Sequence, residues 1–162
     1  MNVKNIRISI QGISPLLTKK WGQDLKKNKD PLCAKRPNGD YAIPKFALTH
    51  AIKKAVRFSG RSNAIKVSDN ITILGNNGGN LISIKSKKKP VIDVTWCPIR
   101  LNKIKIKRGR FDKWQMSFTV KYNSDKLLKE DIKDLFKVSG FCIGLGELRP
   151  EGGSSYGMFK VM

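Results

Sequence analysis

Acidic side chains are scarce in this chain. Of its 162 residues only 12 are Asp or Glu, against 33 Lys or Arg, and the formal net charge is +21. A domain with that excess repels itself unless a polyanion is near. The first polyanion to consider is nucleic acid, and the second is an anionic membrane surface. A compositional habit of lysine, asparagine and isoleucine would explain lysine over arginine, but not the shortage of acids. Histidine is rarer still. His50 stands alone, which excludes any pair or triad of histidines. The three cysteines, Cys33, Cys97 and Cys142, are odd in number and far apart. Their spacing fits neither a zinc site nor a disulfide framework, and they read as reduced core thiols of a cytoplasmic protein. No apolar run approaches the ~20 residues of a membrane span, and Met1 to Ile10 lacks the apolar core of a signal peptide. No Gly-Lys-Ser/Thr follows a glycine run, so no Walker-type loop is present. No carboxylate cluster marks a metal site, and no cofactor is expected.

What remains is a globular composition, 40% hydrophobic and 28% charged, of a length that suits a single domain spanning 1–162. Residues 3–12 alternate, with Ile6, Ile8 and Ile10 on one side and Arg7, Ser9 and Gln11 on the other, which predicts a half-buried strand. A long irregular segment, 13–40, carries Trp21, Lys19, Lys20, Lys26, Lys27 and Lys29. Residues 45–58 read as a helix whose core face is Leu48, Ala51, Ile52, Ala55 and Val56. His50, Lys53, Lys54 and Arg57 fall on its other side at helical spacing, as one basic stripe. Residues 71–74 and 81–85 look like short strands joined by Gly75–Asn80. With Lys85, Lys87, Lys88 and Lys89 they are read as a basic hairpin arm inserted at 60–90.

Val91 to Trp96 is strand-like, and Lys103, Lys105 and Lys107 alternate with Ile104 and Ile106. Arg108-Gly109-Arg110 reads as a turn. Residues 114–122 give the clearest alternation, with Trp114, Phe118 and Tyr122 on one face, better read as core than as a stacking platform. A second helix is predicted over about 126–139, capped by Ser124 or Asp125 and stopped by Gly140, with Leu128, Ile132, Leu135 and Phe136 inward. A short strand closes the chain. Without the insert, the order is βαββαβ, a ferredoxin-like (RRM-like) α+β plan with two helices on one face of a four-stranded antiparallel sheet.

The richest stretch runs from Gly144 to Gly157, with Gly146, Arg149, Gly152, Gly153 and Tyr156 inside it. Glycine backbone can present amides to phosphate oxygens, Arg149 adds charge, and Tyr156 can stack on a base. Trp21 and Phe111 are the other loop aromatics offered for stacking.

That loop, followed by Met158-Phe159-Lys160-Val161, resembles the C-terminal glycine-rich loop of the RAMP superfamily, the repeat-associated RNA-binding proteins of CRISPR systems. The segment from Tyr41-Ala-Ile43-Pro44 through Leu48, Ala51 and Ala55 to Arg57 is similar to the Ile-Pro and small-residue helix of the backbone subunits. Gly12-Ile13-Ser14-Pro15 fits as well. The matched pieces cover about a third of the chain, in the expected order. The resemblance implies a ferredoxin-like fold and contact with guide or target RNA through the glycine loop, the first helix and the basic arm. The chain is short for a backbone subunit, which implies a compact or stand-alone relative, as from a phage or mobile element.

Three readings follow. The first is a non-catalytic RNA-binding module that self-associates or assembles with other subunits along a strand. Its phosphate contacts would come from Lys53, Lys54, Arg57, Lys87, Lys88, Lys103, Lys105, Arg108, Arg110 and Arg149. The second is a metal-independent endoribonuclease in which His50 works as acid or base on a 2′-OH, as in some RAMP endoribonucleases; the plainer reading is a surface histidine. Asp24 and Asp30 lie in the early loop where some backbone subunits hold a cleaving aspartate, but they match no motif and read as solvated charges. The third is a single-stranded-DNA-binding protein of the same fold.

Overall fold

The computed structural model describes residues 1–19, 34–36, 38–60, 67 and 69–162. The expectations for Lys20, Trp21, Asp24, Lys26, Lys27, Lys29, Asp30, Cys33 and the side chain of Cys97 lie outside the described residues. In chain order the elements are β1 (Val3–Gly12), β2 (Leu16–Thr18), β3 (Ala34–Lys35), β4 (Tyr41–Pro44), α1 (Lys45–Phe58), β5 (Ile71–Leu74), β6 (Leu81–Ser83), β7 (Val91–Ile99), β8 (Asn102–Phe111), β9 (Gln115–Asn123), α2 (Lys129–Val138) and β10 (Phe159–Val161).

The fold is α+β with antiparallel sheets. The main sheet has the order β10-β1-β9-β5. β1 and β9 run side by side from Val3↔Asn123 to Gln11↔Gln115. Their alternation buries Ile6, Ile8 and Ile10 with Met116, Phe118 and Val120 on the face that α1 and α2 cover. Each such side chain contributes about 1.5–3 kcal/mol. Pro44 precedes the first turn of α1, where its missing N–H costs nothing. Ala51 and Ala55 are fully buried and let the helix lie close to the sheet. The aromatic row of β9 is core, as its alternation predicts: Trp114, Phe118 and Tyr122 are all buried.

Three expectations fail here. First, the two short strands of 71–85 do not pair with each other. β5 joins the main sheet through Ile73↔Val120, and β6 pairs with β4 in a small sheet, β3-β4-β6. The long hairpin is instead β7–β8, paired from Val91↔Arg110 to Ile99↔Asn102 and anchored at its base by β2. Arg108-Gly109-Arg110 is therefore strand, not turn. β7 is a strand as expected and apolar in composition, yet Ile92, Val94 and Trp96 are exposed. Second, α2 begins after Leu128, whose N–H donates to Asp131 Oδ2 at 2.9 Å. Ser124 and Asp125 tie down the N-terminus instead: Asn2 N–H donates to Asp125 Oδ2 at 3.0 Å, and Ser124 Oγ donates to the Asn2 carbonyl at 3.2 Å. Leu128 is exposed rather than inward. Third, Gly140 does not end α2. The chain continues as a π turn over Ser139–Ile143, and Gly140 is needed because the Phe159 carbonyl occupies the space of a side chain.

Candidate nucleic-acid interface

α1 presents His50, Lys53 and Arg57 to solvent and holds Lys54 half-buried. The loop that follows the π turn comes up beside this stripe. Glu151, in a short 3₁₀ turn over Pro150–Gly152, pairs with Lys54 of α1 and lies 3.3 Å from Arg149. His50 is held below the ordinary histidine value of 6.5, first by partial burial and then by the charges of Lys54, Arg149 and Lys53. Two segments about a hundred positions apart thus place three cations and a neutral imidazole together, with Glu151 as the carboxylate that pairs with two of them.

The glycine loop does not use its backbone as expected. Leu145 N–H donates to the Gly157 carbonyl at 3.0 Å, Glu147 N–H to Leu17 at 2.8 Å and Gly157 N–H to Pro15 at 2.8 Å. Gly152, Gly153 and Tyr156 donate within the loop, to Arg149, Pro150 and Leu148. The Glu147 and Gly157 amides fasten the loop to the segment around β2 and the other four close the loop on itself, so these six are not a phosphate cradle. Gly144, Gly146 and Gly157 serve close packing. A Cβ at Gly146 would meet the Leu17 carbonyl, and one at Gly157 the Leu145 carbonyl. Gly152 and Gly153 form an exposed tip with open space around them. Tyr156 is half-buried.

Other expected contacts separate from this cluster. Arg108 is buried, its side chain 5% exposed, and its Nε lies 3.6 Å from Glu147 Oε2. It packs the base of the hairpin against the glycine loop and is withdrawn from any phosphate. Phe111 is also buried, edge-on to Tyr41 with ring centroids 5.6 Å apart, and offers no stacking face. Arg110 donates to Asp93 at 3.0 Å and Asp112 at 2.8 Å, and these carboxylates raise its pKa, Asp93 most. Lys103 and Lys105 are exposed on β8. Lys87 and Lys88 are exposed on the rim of a groove of about 1130 Å³ that Arg7, Gln11, Gln115 and Ser117 floor, on the sheet face away from the helices.

Two features escaped the sequence reading. Trp96, 61% exposed, faces Lys105 across the hairpin; its signal was the Lys103, Lys105, Lys107 alternation, which predicts the same ladder once β7 is known to be its partner. Arg7, Arg36 and Lys113 line the groove. The polar row Arg7, Ser9, Gln11 was legible, but not its pairing with Thr119, Ser117 and Gln115. Among the described residues no group of three or more His, Cys, Asp or Glu could hold a metal, and no helix is long and apolar enough to cross a membrane. Cys142 is a free, half-buried thiol.

No family model and no curated protein matches the chain. Solved structures do. A chain from the cryo-EM structure of the type III-B Cmr-beta bound to cognate target RNA superposes with a TM-score of 0.71 at 14% identity, over 99% of this chain and 59% of that one. The present chain therefore spans less than two thirds of the length of that relative. Cmr6 from Pyrococcus furiosus superposes with a TM-score of 0.52 at 10% identity, over 100% of both chains. At these identities the likeness is one of fold, and it supports the RAMP-like fold that the motifs imply.

Proposed function

We propose that this chain is an RNA-binding module of RAMP type on a ferredoxin-like core, a non-catalytic subunit of a CRISPR-like ribonucleoprotein. The strand order of the main sheet supports the core assignment, because β1, α1, β5, β9, α2 and β10 follow the βαββαβ plan with the sheet order 4-1-3-2. The observation that carries the function is the meeting of Lys53 and Lys54 with Arg149 beside His50. Three cations against one carboxylate leave a net positive surface that can track phosphates, and Arg57 extends it one turn along α1. The Cmr-beta complex is one bound to target RNA, which favours RNA over single-stranded DNA and assembly with further subunits. Among the described residues no acid or second base has a hydrogen bond or ion pair to His50, which favours binding over general acid–base work on a 2′-OH.

The test is binding of a single-stranded RNA as a function of salt. Replacing Lys53, Lys54 and Arg149 by Gln should weaken binding and flatten the plot of log K against log salt by about 0.7 per lost phosphate contact. Glu151→Gln frees Lys54 and Arg149 and should move both quantities the other way. Unchanged affinity in both variants rejects the site. Tighter binding of a matched DNA strand than of RNA would favour the DNA-binding reading. Cleavage in EDTA that is lost in His50→Ala with binding retained would establish an endoribonuclease.

A further inference from the structure

The groove of about 1130 Å³ on the other face of the main sheet belongs to neither α1 nor the glycine loop. One wall is the segment holding Lys85, Lys87, Lys88 and Lys89; Arg7 rises from the floor and Lys113, beside Ser86, adds a further cation. The lysine wall is not a loose tail. Lys85 exchanges two backbone hydrogen bonds with Gln115, at 2.8 and 2.9 Å, and Ser86 Oγ donates to the Lys113 carbonyl at 2.8 Å. Two acids line the groove, and each already has a cation: Asp40 lies 3.8 Å from Arg36, and Asp112 2.8 Å from Arg110. The six cations of the walls and floor have no ion pair among the described residues.

Like charges held together in a concave surface raise the local potential and draw in anions. The floor is polar as well: Ser117 shares a hydrogen bond of 2.8 Å with Ser9, and Gln11, Gln115 and Asn76 contribute carboxamides. Aromatic stacking is not on offer. Trp114 lines the groove but is only 2% exposed, and its Nε1 donates to the Ser14 carbonyl at 2.9 Å.

We propose that this groove is a second binding site, which takes an extended single-stranded nucleic acid by its phosphodiester backbone and leaves the bases unstacked. It lies across the sheet from the α1 and glycine-loop surface and does not depend on that surface being a site. Because the contacts go to phosphate, the groove should be indifferent to base sequence. An acidic protein would meet the same charge, but the floor lacks the apolar core that a stable protein interface buries.

The experiment compares two variants of the full chain, Lys87→Gln with Lys88→Gln and Lys113→Gln, and Lys53→Gln with Lys54→Gln and Arg149→Gln. Both sets sit on exposed or half-exposed side chains, and circular dichroism checks that the fold persists. The probe is a fluorescent single-stranded RNA of mixed sequence, with an abasic oligonucleotide of equal length as competitor. The groove variant should lose about 0.7 in salt slope per phosphate contact removed, up to about 2 for three. Protection of amides at 85–89 from hydrogen exchange on RNA addition should vanish with it. The abasic strand should displace RNA from the variant lacking the α1 cations as well as an intact strand does.

A groove variant with unchanged affinity, slope and protection overturns the proposal. So does an abasic strand that fails to compete, since bases would then be required. Preferential binding of poly-glutamate over RNA to the α1-deficient variant would also overturn it, in favour of an acidic protein. Loss of binding in the groove variant alone would leave this site standing and remove the α1 surface as a site.

Discussion

His50 is hindered from taking a proton by its surroundings: partial burial acts first, and Lys54, Arg149 and Lys53 repel the second charge. In the free protein its titration should therefore centre below 6.5. Phosphates lying along Lys54 and Arg149 would cancel the repulsion and raise that midpoint. The bound strand also desolvates the ring, which acts the other way. At an exposed side chain, though, the new negative charges weigh more than the water lost. Since bound protein then holds the proton at higher pH than free protein, RNA binding takes up a proton between the two midpoints. Affinity should consequently rise as pH falls through that window. The imidazole proton resonances of the lone histidine, followed against pH with and without RNA, give both midpoints. A midpoint that RNA leaves in place, or lowers, contradicts phosphate at this position.

At the scale of elements, the glycine-rich loop is a clasp more than a cradle. Its backbone crosses the segment around β2 so closely that Gly146, at φ +76, has the Leu17 carbonyl where a side chain would stand. Gly153, at φ +87, has open space on that side. The two substitutions to alanine separate strain from collision. Gly153→Ala should cost about 1–2 kcal/mol for the left-handed backbone alone. Gly146→Ala adds a clash with the β2 backbone and should cost at least about 3 kcal/mol in urea unfolding. Equal losses would mean that the loop yields freely and does not clasp β2.

These same elements show what the sequence could and could not reveal. β1, α1 and β9 were legible nearly to the residue, because Ile6, Ile8, Ile10 and the Ala51, Ala55 stripe repeat at unambiguous periods. The α1 stripe and Arg149 were read in two separate motifs, and only the fold brings them together at Glu151. The hairpin was misplaced because Val91–Trp96 has the composition of a core strand, while the true sheet strand, Ile71–Leu74, is only four residues long. Which partner a strand finds is a long-range property that local alternation does not carry. Arg108 and Phe111 failed for a related reason: both stand beside basic or exposed neighbours in sequence, and only the docking of β2 on β8 buries them.

For the whole molecule, the +21 charge acts in opposite senses on folding and on binding. The helix-side cluster and the groove occupy different faces, so folding alone holds two sets of like charges together. Much of the surplus is left without acids, since the acids near both sets are already paired with cations. Salt screens that repulsion within a Debye length of about 10 Å at 0.1 M. Added salt should therefore raise the thermal midpoint of the free chain. A gain of about 1 kcal/mol corresponds to about 2–4 °C for a domain of this size. The same salt should weaken RNA binding by restoring competition from counterions. Thermal unfolding and RNA affinity measured across one salt series should then run in opposite directions. If the midpoint instead stays level or falls with salt, the cations are already balanced within the fold, and the electrostatic case for a polyanion on either face goes with them.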